Sequence, residues 1–223
     1  MLRSFTARLF GVALTLTGFG LNVQSAVAQT TYTFDATYDA ASRVSSFISE
    51  NITANTVSGE SNDAPFGLTR ASGLFYIQND LTSGSYRFSS NPATFDLEGL
   101  PLGGVTLFGV ENNKLFYSIE DGIGFIDFNT LTTTASNTAT IIGGEGLFSG
   151  ATGTLTSSEV NQVGNLLVDP RSTIRGTVRV SGIIQVSSTQ RVPEPTNTAA
   201  LIGISAIGVG LCMCKQRRKV AIR

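Results

Sequence analysis

Thr173-Ile174-Arg175-Gly176-Thr177-Val178-Arg179-Val180-Ser181-Gly182-Ile183-Ile184-Gln185-Val186-Ser187 is the longest β pattern in this 223-residue chain. The positions that carry the pattern are Ile174, Thr177/Val178, Val180, Ile183/Ile184 and Val186, β-branched residues dominate, and Asp169-Pro170 punctuates its start. A bulge near Gly176 is expected, to place Arg175 and Arg179 on the face opposite Ile174, Val178 and Val180.

The same reading extends towards the N-terminus. Thr31 to Tyr38 alternates Tyr32, Phe34, Ala36 and Tyr38 against Thr31, Thr33, Asp35 and Thr37, a half-buried strand. Ala40 to Asn51 fits a short helix or a continued strand, since Val44, Phe47 and Ile48 have helical spacing. Asn55 to Pro65, rich in Ser, Asn, Gly and acids, reads as a loop. Gly73 to Gln78 and Ser85 to Ser89 are short strands. Val105 to Val110 and Lys114 to Ile119 form a hairpin through Glu111-Asn112-Asn113, because Asn tolerates positive φ. Asp121-Gly122 is a further turn signal before Gly124 to Phe128, and Thr138 to Ile142 is another strand. Short strands with no helices between them predict an all-β fold, an antiparallel sandwich or barrel.

Gly143-Gly144-Glu145-Gly146-Leu147-Phe148-Ser149-Gly150-Ala151-Thr152-Gly153-Thr154-Leu155-Thr156 is the most distinctive local motif. It is no phosphate loop: no helix opens after it and no P-loop Lys is present. Glycines at turn and bulge positions, Leu147 or Phe148 entering the core, and a strand over Ala151 to Thr156 account for it. Over about a dozen residues this stretch resembles hairpins of allene oxide cyclase and dirigent-type barrels, a likeness that implies a barrel and carries over no catalytic residue.

Both ends of the chain read as export signals. Arg3 and Arg8, the apolar Leu9 to Leu21, and the small residues Ala26-Val27-Ala28 form a signal peptide over 1–28, cleaved to leave Gln29 first. At the other end, 192–223 divides into Val192-Pro193-Glu194-Pro195, an uncharged run from Thr198 to Cys214, and a basic tail with Lys215, Arg217, Arg218, Lys219 and Arg223. The prolines keep the motif extended. The uncharged run is long enough for one transmembrane helix, and the basic cluster stops transfer on the cytoplasmic side. This order resembles the PEP-CTERM sorting signal of secreted bacterial proteins. The resemblance implies recognition of the motif by an exosortase-like membrane protease, release to the cell surface or extracellular matrix, and an association with exopolysaccharide.

What lies between, 29–191, is one domain-sized segment. Gln29 to Val192 holds fifteen Asp/Glu against eight Lys/Arg, a net charge of about −7, which argues against nucleic acid as partner. The chain has no His, and its two cysteines, Cys212 and Cys214, lie outside this segment. Disulfides, zinc, haem and His-dependent triads are therefore not expected there, nor is any cofactor. Glu111, Glu120, Asp121 and Asp127 are the acids from which a hydrolytic pair could be drawn, though their turn positions favour solvation. Tyr32, Tyr38, Tyr76, Tyr86 and Tyr117 could line a ligand pocket or pack in the core. Two functions follow as expectations: a non-catalytic surface or matrix protein, or a barrel carrying a small molecule or lipid, or acting as a cyclase-like enzyme. An interior lined by polar groups around a closed apolar cavity would favour the barrel; a filled core with an exposed aromatic or acidic face, the matrix protein.

Overall fold

The structure, a computed structural model, describes residues 28–163, 169 and 171–188. Gln29–Ser188 form one compact unit built from nine strands. These are β1 (Ala28–Phe47), β2 (Ile52–Glu60), β3 (Arg70–Asp80), β4 (Ser85–Ser89), β5 (Gly104–Phe108), β6 (Lys114–Asp127), β7 (Thr132–Glu145), β8 (Ala151–Gln162) and β9 (Ile174–Ser188). Among the described residues the only helical pieces are 3-10 turns at Pro65–Gly67, Pro92–Phe95 and Gly146–Phe148. No helix in this region is long and apolar enough to cross a membrane. The expected signal peptide apart from Ala28, the motif Val192-Pro193-Glu194-Pro195, the helix over 198–214 and the basic tail all lie outside the described residues.

Apart from β4 and β5, each strand pairs with its neighbours in sequence, and the pairing returns on itself. β1 pairs β2, β2 pairs β3, β6 to β9 follow in order, and β9 pairs β1. Two contacts fix the last pairing as antiparallel: Gln29 to Gln185 at 3.1 Å and Asp35 to Arg179 at 2.8 Å. Between β3 and β6 one position is shared by two short strands. β4 bridges them towards Asp80 and Phe125, and β5 bridges them towards Arg70 and Lys114. The result is a closed up-and-down antiparallel ring eight strands wide. A ring of this size has an interior that side chains fill or that holds one small ligand.

Alternation decides which side chains enter. Phe34, Ala36 and Tyr38 of β1 are buried, as are Ala135, Ala139 and Ile141 of β7, Ala151 and Leu155 of β8, and Val180 and Ile184 of β9. β9 needs no bulge, since its register with β8 runs unbroken from Ala151↔Val186 to Gln162↔Arg175. Simple two-residue alternation already puts Ile174, Val178 and Val180 inside and Arg175 and Arg179 outside. Gly176 has another cause, because a Cβ there would collide with the Val160 carbonyl and lie 2.6 Å from the Asn161 Cα on β8.

Two other expectations are corrected. Asn55 to Glu60, expected as the start of a loop, belongs to β2. Of the two alternatives for Ala40 to Asn51 the structure takes the strand, which continues β1 to Phe47. Polar and small residues disguise β2 because its inward positions are Thr53, Asn55, Val57 and Gly59, and Thr53 donates to the Asn55 amide oxygen at 2.7 Å. Its apolar Ile52 and Ala54 point outward and pack with Tyr76 and Phe95 under the excursion between β4 and β5. Asp121-Gly122 is not a turn but a register shift within β6, between Ile119 and Asp121.

One end of the ring is plugged. The Pro65–Gly67 and Gly146–Phe148 turns drive Phe66 and Phe148 inward against Tyr32, with edge-on ring contacts of 5.2, 5.8 and 6.4 Å. Leu68 and Phe148 are fully buried, and the Tyr38 hydroxyl donates to the Leu68 carbonyl at 2.6 Å. Of the two expected alternatives in the glycine-rich motif, Phe148 enters and Leu147 stays 41% exposed.

Candidate functional site

Among the described residues the opposite end is open, and a cavity of about 480 Å³ runs into the ring from it. Its rim carries Phe47, Leu81, Phe128, Leu131 and Val163, contributed by the hairpin ends of β1, β3, β6, β7 and β8. Phe47, Leu81 and Phe128 are 47%, 71% and 49% exposed. Apolar side chains from Val57, Phe75, Ile77, Phe88, Ile119, Val178 and Val180 form much of the wall. Tyr38, Val105, Leu107 and Tyr117 line its inner part. The volume falls in the ordinary range for small-molecule sites, about 300–1,000 Å³.

Space arises because inward positions of β6 are glycines. Tyr86↔Gly124 and Phe88↔Gly122 are direct cross-strand pairs, and each ring lies over its glycine. A larger residue at either position would push the aromatic side chain into the lumen. Flat rings therefore line this wall where branched aliphatics would otherwise fill the ring.

A polar group of residues breaks the apolar wall on β7 and β8. Thr133, Asn137, Ser157, Glu159 and Asn161 all face inward, on the parity that also carries Ala135, Ala139 and Leu155. The Asn137 amide donates to Ser157 at 2.5 Å, and the Asn161 amide to Thr133 at 3.5 Å. The Asn137 Oδ1 is buried without a hydrogen-bond partner, as is the Ser42 Oγ across the lumen on β1.

Glu159 is the chemically distinctive member. Protein encloses it on most sides, and what remains accessible faces the cavity. Burial pushes its carboxyl above the ordinary range, held back in part by hydrogen bonding from Asn161 and from the Tyr86 hydroxyl. Tyr86 and Tyr117 are in turn pushed well above the usual phenol range, by burial first and then by the nearby Glu159 charge. Neither phenol ionises near neutral pH, so both present O–H groups to the site.

The acids singled out by sequence do not assemble. Glu111 sits in the β5–β6 turn with φ 55°, at the plugged end, whereas Asp127 caps the β6–β7 turn at the open end, accepting from the Asn129 N–H at 2.8 Å. Glu120 and Asp121 are exposed, and Asp121 pairs with Arg87 at 3.0 Å on the outer surface. Among the described residues no group of three or more His, Cys, Asp or Glu is placed to hold a metal. Of the tyrosines, Tyr38, Tyr86 and Tyr117 line the cavity. Tyr32 belongs to the plug, and Tyr76 packs outside the ring with its hydroxyl on the Pro101 carbonyl at 2.7 Å. Of the sorting and cleavage residues, Ala28 is the first residue of β1; Ala26, the Pro-Glu-Pro motif and the basic cluster lie outside the described residues.

Glu159 itself was missed at the level of sequence. The legible signal is parity: continuing the alternation of Ala151 and Leu155 reaches Glu159, an acid on the inward face of a strand. Compared with known protein families and with curated proteins, the chain matches none.

Proposed function

We propose that this chain is an exported, non-catalytic binding protein whose barrel holds one apolar small molecule of lipid-like character. The single observation that carries the reading is the open-ended cavity of about 480 Å³, walled by aliphatic and aromatic side chains and interrupted by one polar wall. A packed core would leave no such space, and a matrix role alone would not require it. Of the two expected functions, the carrier is the one this cavity favours. Among the described residues no pair of acids comes together for hydrolysis, and Glu159 has polar neighbours suited to holding a ligand's head group.

Delivery rests on the sequence. A signal peptidase removes 1–28, an exosortase-like protease acts at Val192-Pro193-Glu194-Pro195, and the domain reaches the cell surface or the exopolysaccharide-bearing matrix outside it. Ala28 and Ser188, the ends of the described domain, both lie at the plugged end.

The test is a neutral fluorescent probe, N-phenyl-1-naphthylamine, titrated into the exported protein recovered from cells expressing the full chain. Saturable binding of one probe per chain is expected. Ala40→Phe, which fills the lumen from β1, should weaken it strongly, whereas Thr134→Phe on the outer face should not. Absence of saturable binding would rule out the carrier reading.

A further inference from the structure

We infer that the ligand of this barrel is a cationic amphiphile, an apolar chain or ring system ending in a protonated amine, seated with its ammonium on Glu159. The inference rests on the carrier reading and names its ligand class. Its basis is the charge and hydrogen-bond inventory of the lumen. Glu159 and Glu50 are the ionisable carboxyls that line it, Glu50 lying near the rim, and no Lys or Arg lines it among the described residues.

The surroundings of Glu159 can be taken strand by strand. Tyr86 faces it from β4 and Tyr117 from β6. Ala135 is its cross-strand partner on β7, flanked by Thr133 and Asn137, and Val178 is its partner on β9. Arg175 and Arg179 of β9 point outward, and Arg179 is bound to Asp35 at 2.8 Å. Arg87 of β4 is likewise outside, on Asp121. At the rim Arg171 lies over the Phe47 ring, 5.6 Å from its centroid, and does not line the cavity. A buried carboxylate without a counter-ion is costly, and an incoming ammonium supplies the missing charge.

The rest of the wall suits the same guest. The rings of Phe88, Tyr86 and Tyr117 present faces that attract cations. Asn137 adds a buried amide oxygen without a partner, an acceptor for an N–H donor. A fatty acid meets the opposite inventory: its carboxylate would share an apolar lumen with Glu159 and find no cation there.

Binding also displaces a proton. Burial keeps the carboxyl of the empty barrel protonated to higher pH than a free Glu, whereas the ammonium pairs with the ionised form. Alkylammonium stays charged up to about pH 10, so affinity should rise with pH as Glu159 gives up its proton.

Competition against N-phenyl-1-naphthylamine on the exported protein tests this, with decylamine, 1-decanol and decanoate as matched displacers between pH 5 and 8. Decylamine should displace the probe at about a tenfold lower concentration than decanol at pH 8, consistent with one charge-assisted bond. That advantage should shrink towards pH 5, and decanoate should be the weakest of the three. Glu159→Gln, shown to be folded by a cooperative thermal transition, should lose both the amine preference and its pH dependence. Equal displacement by all three head groups, or a preference for decanoate, would overturn the inference while leaving the carrier reading intact. An amine preference unchanged in Glu159→Gln would overturn it too, placing the attraction elsewhere on this acidic domain. If Glu159→Gln fails to bind the probe, the head-group order and pH trend of the unsubstituted protein still decide. Failure of the probe itself to bind would sink the carrier reading first, and this inference with it.

Discussion

Gly124 of β6 lies beneath the ring of Tyr86 on β4, so close that a Cβ at residue 124 would stand 2.5 Å from the tyrosine hydroxyl oxygen. The glycine is thus a condition for the position of the phenol that faces Glu159.

Gly124→Ala should therefore act at a distance from its own backbone. The added methyl forces Tyr86 off its rotamer, at a cost of about 1–3 kcal/mol in stability. Chemical denaturation should register that loss, and probe affinity should fall as the displaced ring enters the lumen. Thr134→Ala, on the outer face of β7, should change neither by a measurable amount.

The plugged end supplies a second contrast between neighbours. Phe148 is fully buried against Phe66 and Tyr32, whereas Leu147 is 41% exposed. Phe148→Ala should cost about 3–5 kcal/mol, and Leu147→Ala under about 1 kcal/mol. Thermal unfolding of the two variants side by side checks this. Equal effects would mean that the turn does not seal the barrel.

Glu159 sets a pH dependence of stability whose sign follows from its raised folded-state pKa. Between the ordinary value near 4.5 and the raised one, the folded protein holds a proton that the unfolded chain has released. Its contribution to stability is therefore fully present below the ordinary value and is lost as pH rises through the folded one. Glu159→Gln should abolish that fall, so the variant gains on the unsubstituted protein from pH 4 to pH 7 in melting temperature. Asp63 and Asp80, lowered chiefly by hydroxyl donors Ser61 and Ser83, act in the opposite sense at lower pH and are common to both proteins. A constant difference across the range would contradict a buried carboxyl.

The sorting proposal is read from intact mass. The mature protein from extracellular and membrane fractions should begin at Gln29 and end near Pro195, and Glu194→Ala should hold the chain in the inner membrane. A product still carrying Lys215 to Arg223 in both forms would instead mean an ordinary membrane-anchored β domain.

Much of the architecture was legible because a strand buried on one face writes its pattern with a period of two. Thr31 to Tyr38, the hairpin around Glu111-Asn112-Asn113 and the strand after Gly150 were all readable in this way, and Glu111 and Asn112 do take positive φ. The pattern failed on β2, whose inward face is Thr53, Asn55, Val57 and Gly59, because a strand facing a cavity need not be apolar on that face. It also failed at Asp121-Gly122, where a dipeptide typical of turns is absorbed as a bulge by pairing on both sides.

By itself the sequence determined the all-β class and most strand positions, since these depend on local period and composition. Only the tertiary structure decided that the sheet closes, through β2 on β3 and β1 on β9, because closure joins strands through hydrogen bonds that leave no local trace. Closure then decided the site. It set Tyr86 over Gly124, kept the lumen open, and turned one acid on an inward parity, Glu159, into a buried carboxyl facing an apolar cavity. Its chemistry comes from neighbours on four other strands, and no reading along a single strand contains them.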